Sequence, residues 1–164
     1  MNLVQLFADG GLVVVVAASF VMAVLWLVRE KPLVSVVLPY VVMAGLTSLL
    51  AGKLMGFWQP EAVRPFVEQG VAAGAAYIDN PGFPSDHVLL AVVVVGVVYA
   101  LTPYKKTALV LAGLILLMAL ARVAALVHTP LDIIGGALAG LIGLVWVYKY
   151  KHLYGIKQLT KKRK

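Results

Sequence analysis

No cysteine occurs in the 164 residues. That excludes disulfides, thiolate metal sites and cysteine nucleophiles. Acidic residues are scarce, seven Asp and Glu against 14 Lys and Arg, and the net charge is +7. No lysine or arginine precedes Arg29. The N-terminus therefore lacks the basic region of a signal peptide, and the first apolar run is expected to stay in the mature protein. No compact cluster of His and acidic side chains has metal-ligand spacing. No metal and no cofactor is expected.

What is present is apolar. The chain is 62% hydrophobic, with a mean hydropathy of +0.97. Several runs approach or exceed the length that spans a bilayer, and they are too continuous for the alternating strands of a barrel. The expected fold is an all-α, polytopic membrane helical bundle. Five spans are expected, at residues 12–28, 33–51, 88–101, 108–127 and 133–148. Asp9-Gly10-Gly11 reads as a break before the first span. Residues 53–84 form a long connection rich in proline and charge. Its apolar stretch, 71–78, is too short to cross and reads as interfacial or folded back over the bundle. Residues 1–148 make one domain and 149–164 a polybasic tail.

Five spans put alternate loops on opposite sides. One side receives Arg29, Lys31, Lys105, Lys106 and the seven basic residues of the tail; the other receives Lys53, Arg64 and Arg122. The positive-inside rule makes the first side cytoplasmic. The expected location is the plasma membrane, with the tail inside. Topology alone then gathers three cations and two histidines, His87 and His128, at the outer surface.

The richest stretch is 121–132, ARVAALVHTPLD. Arg, His and Asp are rare in membrane segments, where a charge costs about 2.5–3.5 kcal/mol or more at the bilayer centre. Thr129 can cap a new helix with Pro130 at its first position. Asp132 then lies in the first turn and can reach back to His128. An imidazole oriented by a carboxylate is the usual activated base or nucleophile. Arg122 and His128 are six apart, about 240° around an ideal helix. They converge only if the helix ends before His128 or if the arginine climbs toward the interface. Phe83-Pro84-Ser85-Asp86-His87 opens the third span. Ser85 reads as its N-cap, and the amides after it offer an anion site. With the three cations nearby, the expected anion is phosphate.

These residues resemble the type 2 phosphatidic acid phosphatase superfamily. Its signature is a lysine followed by Arg-Pro, then Pro-Ser-Gly-His, then Ser-Arg-x5-His-x3-Asp. Here stand Lys53 and Arg64-Pro65, then Pro84-Ser85-Asp86-His87, then Ala121-Arg122-x5-His128-x3-Asp132. Ten residues separate Lys53 from Arg64 where the family usually has six. Offsets of seven and eleven share a helix face, but Pro60 interrupts this stretch. Ala121 replaces a serine and Asp86 replaces a glycine. The Ser-Asp-His form is similar to the undecaprenyl-diphosphatase branch, the bacitracin-resistance type.

The resemblance implies a metal-independent lipid phosphatase. His128 would attack phosphorus and form a phosphohistidine, oriented by Asp132. His87 would donate a proton to the leaving oxygen. Lys53, Arg64, Arg122, Ser85 and the amide of Asp86 would hold the phosphoryl oxygens. The substrate implied first is undecaprenyl diphosphate, cleaved to the monophosphate and phosphate. Phosphatidic acid or phosphatidylglycerol phosphate is the alternative. One histidine must be neutral and the other charged, so a bell-shaped pH–rate profile is expected.

Plainer readings stand beside these. A lone His at a helix end is usually structural, and an isolated Arg in a span is often paired or snorkelling. Glu61, Glu68 and Asp79 read as solvated loop charges, and His152 has no assigned role. Gly136 and Gly140 suit close helix packing, and a dimer through that face is left open. The tail attracts anionic lipid headgroups; nucleic acid is not expected as a partner, because no recognition fold accompanies it. A non-catalytic lipid-phosphate binding or transport protein would use the same basic pocket.

Overall fold

A computed structural model describes residues 2–59 and 63–161. Pro60, Glu61 and the last three residues of the basic tail lie outside the described residues. Among the described residues seven helices follow in order: α1 Leu3–Glu30, α2 Val34–Phe57, α3 Pro65–Glu68, α4 Asp86–Leu101, α5 Lys105–Ala124, α6 Pro130–Gly143 and α7 Val145–Lys161. The protein is a polytopic helical bundle. Among the described residues, four stretches are long and apolar enough to cross a membrane: Leu3–Glu30, Val34–Phe57, Lys105–Ala124 and Pro130–Leu153. The remaining apolar helix, α4, has 16 residues, about 24 Å at the rise of an α-helix.

Helix α4 is the centre of the bundle. It packs against α1, α2, α5, α6 and α7. Its buried side chains are mostly small or β-branched, including Val88, Ala91, Val95 and Val98. Such residues let neighbouring backbones approach closely where no hydrophobic force separates helix from lipid. Gly136 belongs to the same contact. A Cβ there would run into the carbonyl oxygen of Ser85, so the glycine lets α6 sit directly on the start of α4. The glycine face of α6 is thus used inside the chain.

Three boundaries differ from the sequence reading. Asp9-Gly10-Gly11 is no break: α1 runs unbroken from Leu3 to Glu30. Its Gly11 serves close packing instead, since a Cβ there would lie 3.0 Å from the side chain of Met118 on α5. Helix α2 continues past residue 51 to Phe57 and takes in Lys53. The fifth apolar run is two helices, α6 and α7, with Leu144 at the joint.

Beyond α3, residues 69–84 form no helix. They fold back over the ends of α1 and α5. The amide of Gly74 donates to the carbonyl of Ala125 at 3.0 Å, and that of Phe66 to the carbonyl of Leu126 at 3.0 Å. Ala8, Phe66, Ala75, Ala121, Ala125 and Val127 close an apolar cluster beneath them.

Candidate active site

The site forms where α5 stops and α6 starts. The amide of Ala125 still bonds back to Ala121. Leu126 then takes a left-handed conformation, φ 59°, which turns the chain out of the helix. The helix therefore ends before His128, which resolves the 240° separation from Arg122. Thr129 caps α6 with a capping box: its hydroxyl accepts from the amide of Asp132, and Asp132 accepts from the amide of Thr129 at 2.7 Å. This is the expected cap, with Pro130 at the first helical position.

The cap fixes His128 as well. Its Nδ1 lies 3.4 Å from Asp132 Oδ2, and its Nε2 lies 3.1 Å from Ser85 Oγ. The ionised carboxylate only accepts, so it holds the hydrogen on Nδ1 and leaves the Nε2 lone pair outward. Ser85 Oγ then donates to Nε2. Ser85 is the N-cap of α4, but its hydroxyl makes no capping bond. The hydroxyl serves the histidine instead, and the first amides of α4 keep no partner within the helix. The amide of Ser85 donates to the carbonyl of Asp132 at 2.9 Å, which ties the two helix starts together. His128 is 3% exposed. Burial pulls its pKa below the usual histidine value, against the opposing hydrogen bond to Asp132. The imidazole is neutral near pH 7.

Two buried guanidiniums face it. Arg64 donates from Nη1 to the carbonyl of Val127 at 2.6 Å and from Nε to the carbonyl of Asn80 at 3.2 Å. Its Nη2 donates to the carbonyl of Ile78 at 2.9 Å and to Asn80 Oδ1 at 2.7 Å. The ring of Tyr77 lies beneath it. Burial lowers the Arg64 pKa, with Asp132 the largest opposing influence. Arg122 is 1% exposed. It donates from Nη1 to the carbonyl of Ala8 at 3.1 Å and from Nη2 to the carbonyl of Ala76 at 3.0 Å. Its Nε is buried without a protein partner among the described residues. A buried donor of this kind calls for a ligand or water.

Arg64, Asn80, Asp86, His87, Arg122 and His128 line one cleft. Asp132 supports it from behind through His128 Nδ1, while the Ser85 hydroxyl meets Nε2 on the opposite edge of the ring. Lys53 is not among the lining residues. It is exposed on α2 and lines an adjoining cleft with Asn80, Pro84 and Asp86. Two residues of the site escaped the sequence reading. Asn80 grips Arg64 and also accepts from the amide of Gly82 at 3.0 Å. Asp9 lies 3.8 Å from Arg122 Nη1. The signal for Asp9 was available: it is a lone acid in an apolar run, which demands a partner just as Arg122 does.

A family model described as the PAP2 superfamily matches residues 32–155. The chain belongs to this superfamily. Every PAP2 signature position, from Lys53 to Asp132, falls inside the matched stretch, whereas α1 precedes it. The bacitracin transport permease protein BcrC of Bacillus licheniformis is 31% identical over 131 residues, which cover 77% of this chain and 61% of that protein. The chain thus spans less than two thirds of its relative's length. No solved structure matches.

Proposed function

We propose that this PAP2 member is a membrane lipid phosphatase that hydrolyses undecaprenyl diphosphate to undecaprenyl phosphate and phosphate. The observation that carries the reading is the cleft itself. A neutral imidazole with its Nδ1 hydrogen held by a carboxylate faces two buried guanidiniums and a second imidazole. Phosphoryl transfer needs in-line positioning and neutralised equatorial oxygens. His128 Nε2 attacks the terminal phosphorus, and the bond from phosphorus to the bridging oxygen breaks. His87 gives that oxygen its proton, and the lipid monophosphate leaves. Water then cleaves the phosphohistidine, returning its proton to His87 and releasing phosphate. Arg64, Arg122 and the first amides of α4 hold the phosphoryl oxygens, and Lys53 approaches from the adjoining cleft.

The substrate choice draws on the Pro84-Ser85-Asp86-His87 form and on the likeness to BcrC. The positive-inside asymmetry makes the site extracytoplasmic and the tail cytoplasmic. Residues 1–148 are the catalytic domain in this reading and 149–164 a basic appendix. Phosphate release in detergent with a chelator tests the proposal, across polyprenyl diphosphate, phosphatidic acid and phosphatidylglycerol phosphate. Fastest release from the polyprenyl diphosphate supports it. Preference for a monoester moves the assignment to that lipid. The relative's printed name favours one second reading, a transport or binding protein, which predicts no release from any of them.

The lowered pKa of His128 sets a pH dependence. Only the neutral ring attacks, so His128 should give the bell-shaped kcat/KM profile an acid limb that begins at a point below 6.5. From there it falls about tenfold per pH unit. A fall that begins above pH 7 on the acid side would contradict a buried neutral nucleophile.

A further inference from the structure

Helix α1 precedes the matched family region, yet two of its residues hold a guanidinium of the site. The carbonyl of Ala8 accepts from Arg122 Nη1, and the Asp9 carboxylate lies 3.8 Å from the same nitrogen. Asp9 Oδ1 also accepts the amide hydrogen of Ala76 at 3.0 Å. The carbonyl of Ala76 in turn accepts from Arg122 Nη2 at 3.0 Å. Asp9, Ala76 and Arg122 thus form a closed ring of polar contacts. Without Asp9, the 75–76 segment of the connection loses its tie to α1, and Arg122 loses its facing anion.

The packing of α1 gives no other reason for an acid here. Its neighbours Ala8 and Gly11 are buried, and an ionised group in an apolar span is costly unless it is paired. Asp9 keeps partial access to water, at 28% exposed, while Arg122 is buried at 1%. The carboxylate thus meets both water and the guanidinium.

We propose that Asp9 is a positioning residue: it holds the Arg122 guanidinium so that its unpaired Nε edge faces the phosphoryl oxygens, and α1 thereby completes the site. The inference rests on the phosphatase reading above. Asp9 touches no substrate and acts through Arg122 and Ala76.

Three variants of the full chain in detergent test it. Asp9→Asn keeps an acceptor for the Ala76 amide but removes the charge. Its kcat/KM for polyprenyl diphosphate should fall about tenfold. Inhibition by orthovanadate should weaken by a similar factor. Asp9→Glu should recover most of both, and Asp9→Ala should lose more than Asp9→Asn. The acid limb set by His128 should not move. In an Arg122→Lys background, Asp9→Asn should cost less than about twofold further, because the two groups act as one unit. Wild-type kcat/KM and vanadate inhibition in Asp9→Asn would overturn the proposal. So would losses that simply multiply with those of Arg122→Lys. If the wild type releases phosphate from no lipid, the phosphatase reading fails by itself. Protection against thermal unfolding by orthophosphate then tests Asp9 alone: weaker protection of Asp9→Asn supports the role, and equal protection refutes it.

Discussion

Replacing His128 with alanine should lower phosphate release about 10⁴-fold or more, the loss expected when a covalent nucleophile is removed from a unit that works together. Binding should survive. The guanidiniums of Arg64 and Arg122 are fixed largely by backbone carbonyls. Arg64 does bond the Val127 carbonyl next to the histidine, but that acceptor is main chain and remains in the variant. Labelled polyprenyl diphosphate gives the decisive measurement. Wild-type protein quenched during turnover should carry label that is stable to base and lost in acid, as a phosphoramidate is. The alanine variant should carry none while still binding lipid. A labelled His128→Ala protein would move the nucleophile elsewhere.

Arg122→Ala should reduce kcat/KM about 10²–10³-fold, the range for deleting a preorganised donor to developing charge. Burial sharpens the effect, because at 1% exposure the guanidinium charge is little screened by solvent. The carbonyls of Ala8 and Ala76 also lose their donors. Arg122→Lys should recover only part of the rate: an ammonium can supply the charge but not the planar fork that meets two carbonyls and an anion together. Single-turnover kinetics on both variants checks this. A lysine variant with wild-type rates would reduce Arg122 to a bulk positive charge.

The local geometry around His128 was legible because it lies in short spacings. Arg122-x5-His128-x3-Asp132 encodes a helix end, a cap and a first turn, and Thr129-Pro130 marks the cap by local rules alone. The turn between them was not legible. Leu126 carries the left-handed conformation, and leucine gives no hint of it. The connection from 69 to 84 was opaque for a different reason. Its amides bond to Ala125 and to Asp9, far away in sequence, so no local pattern could announce its path. Gly10 and Gly11 misled because glycine marks either a break or a close approach, and only the presence of Met118 opposite decides which. Lys53 interrupts the apolar pattern without interrupting the helix, which is why it read as part of the connection.

A count of hydrogens on the two arginines separates their duties. A guanidinium has five N–H groups. On Arg64 four are engaged by Val127, Asn80 and Ile78, so a single hydrogen is left to meet an anion. Arg122 has two engaged by carbonyls, with Asp9 facing its Nη1 at 3.8 Å, and so keeps more to offer than Arg64. On the phosphatase reading, a tetrahedral oxyanion entering the cleft should therefore be held more firmly by the Arg122 wall than by the Arg64 wall. Compounds that compete for this cleft should be ranked by how well two of their oxygens match the Arg122 side.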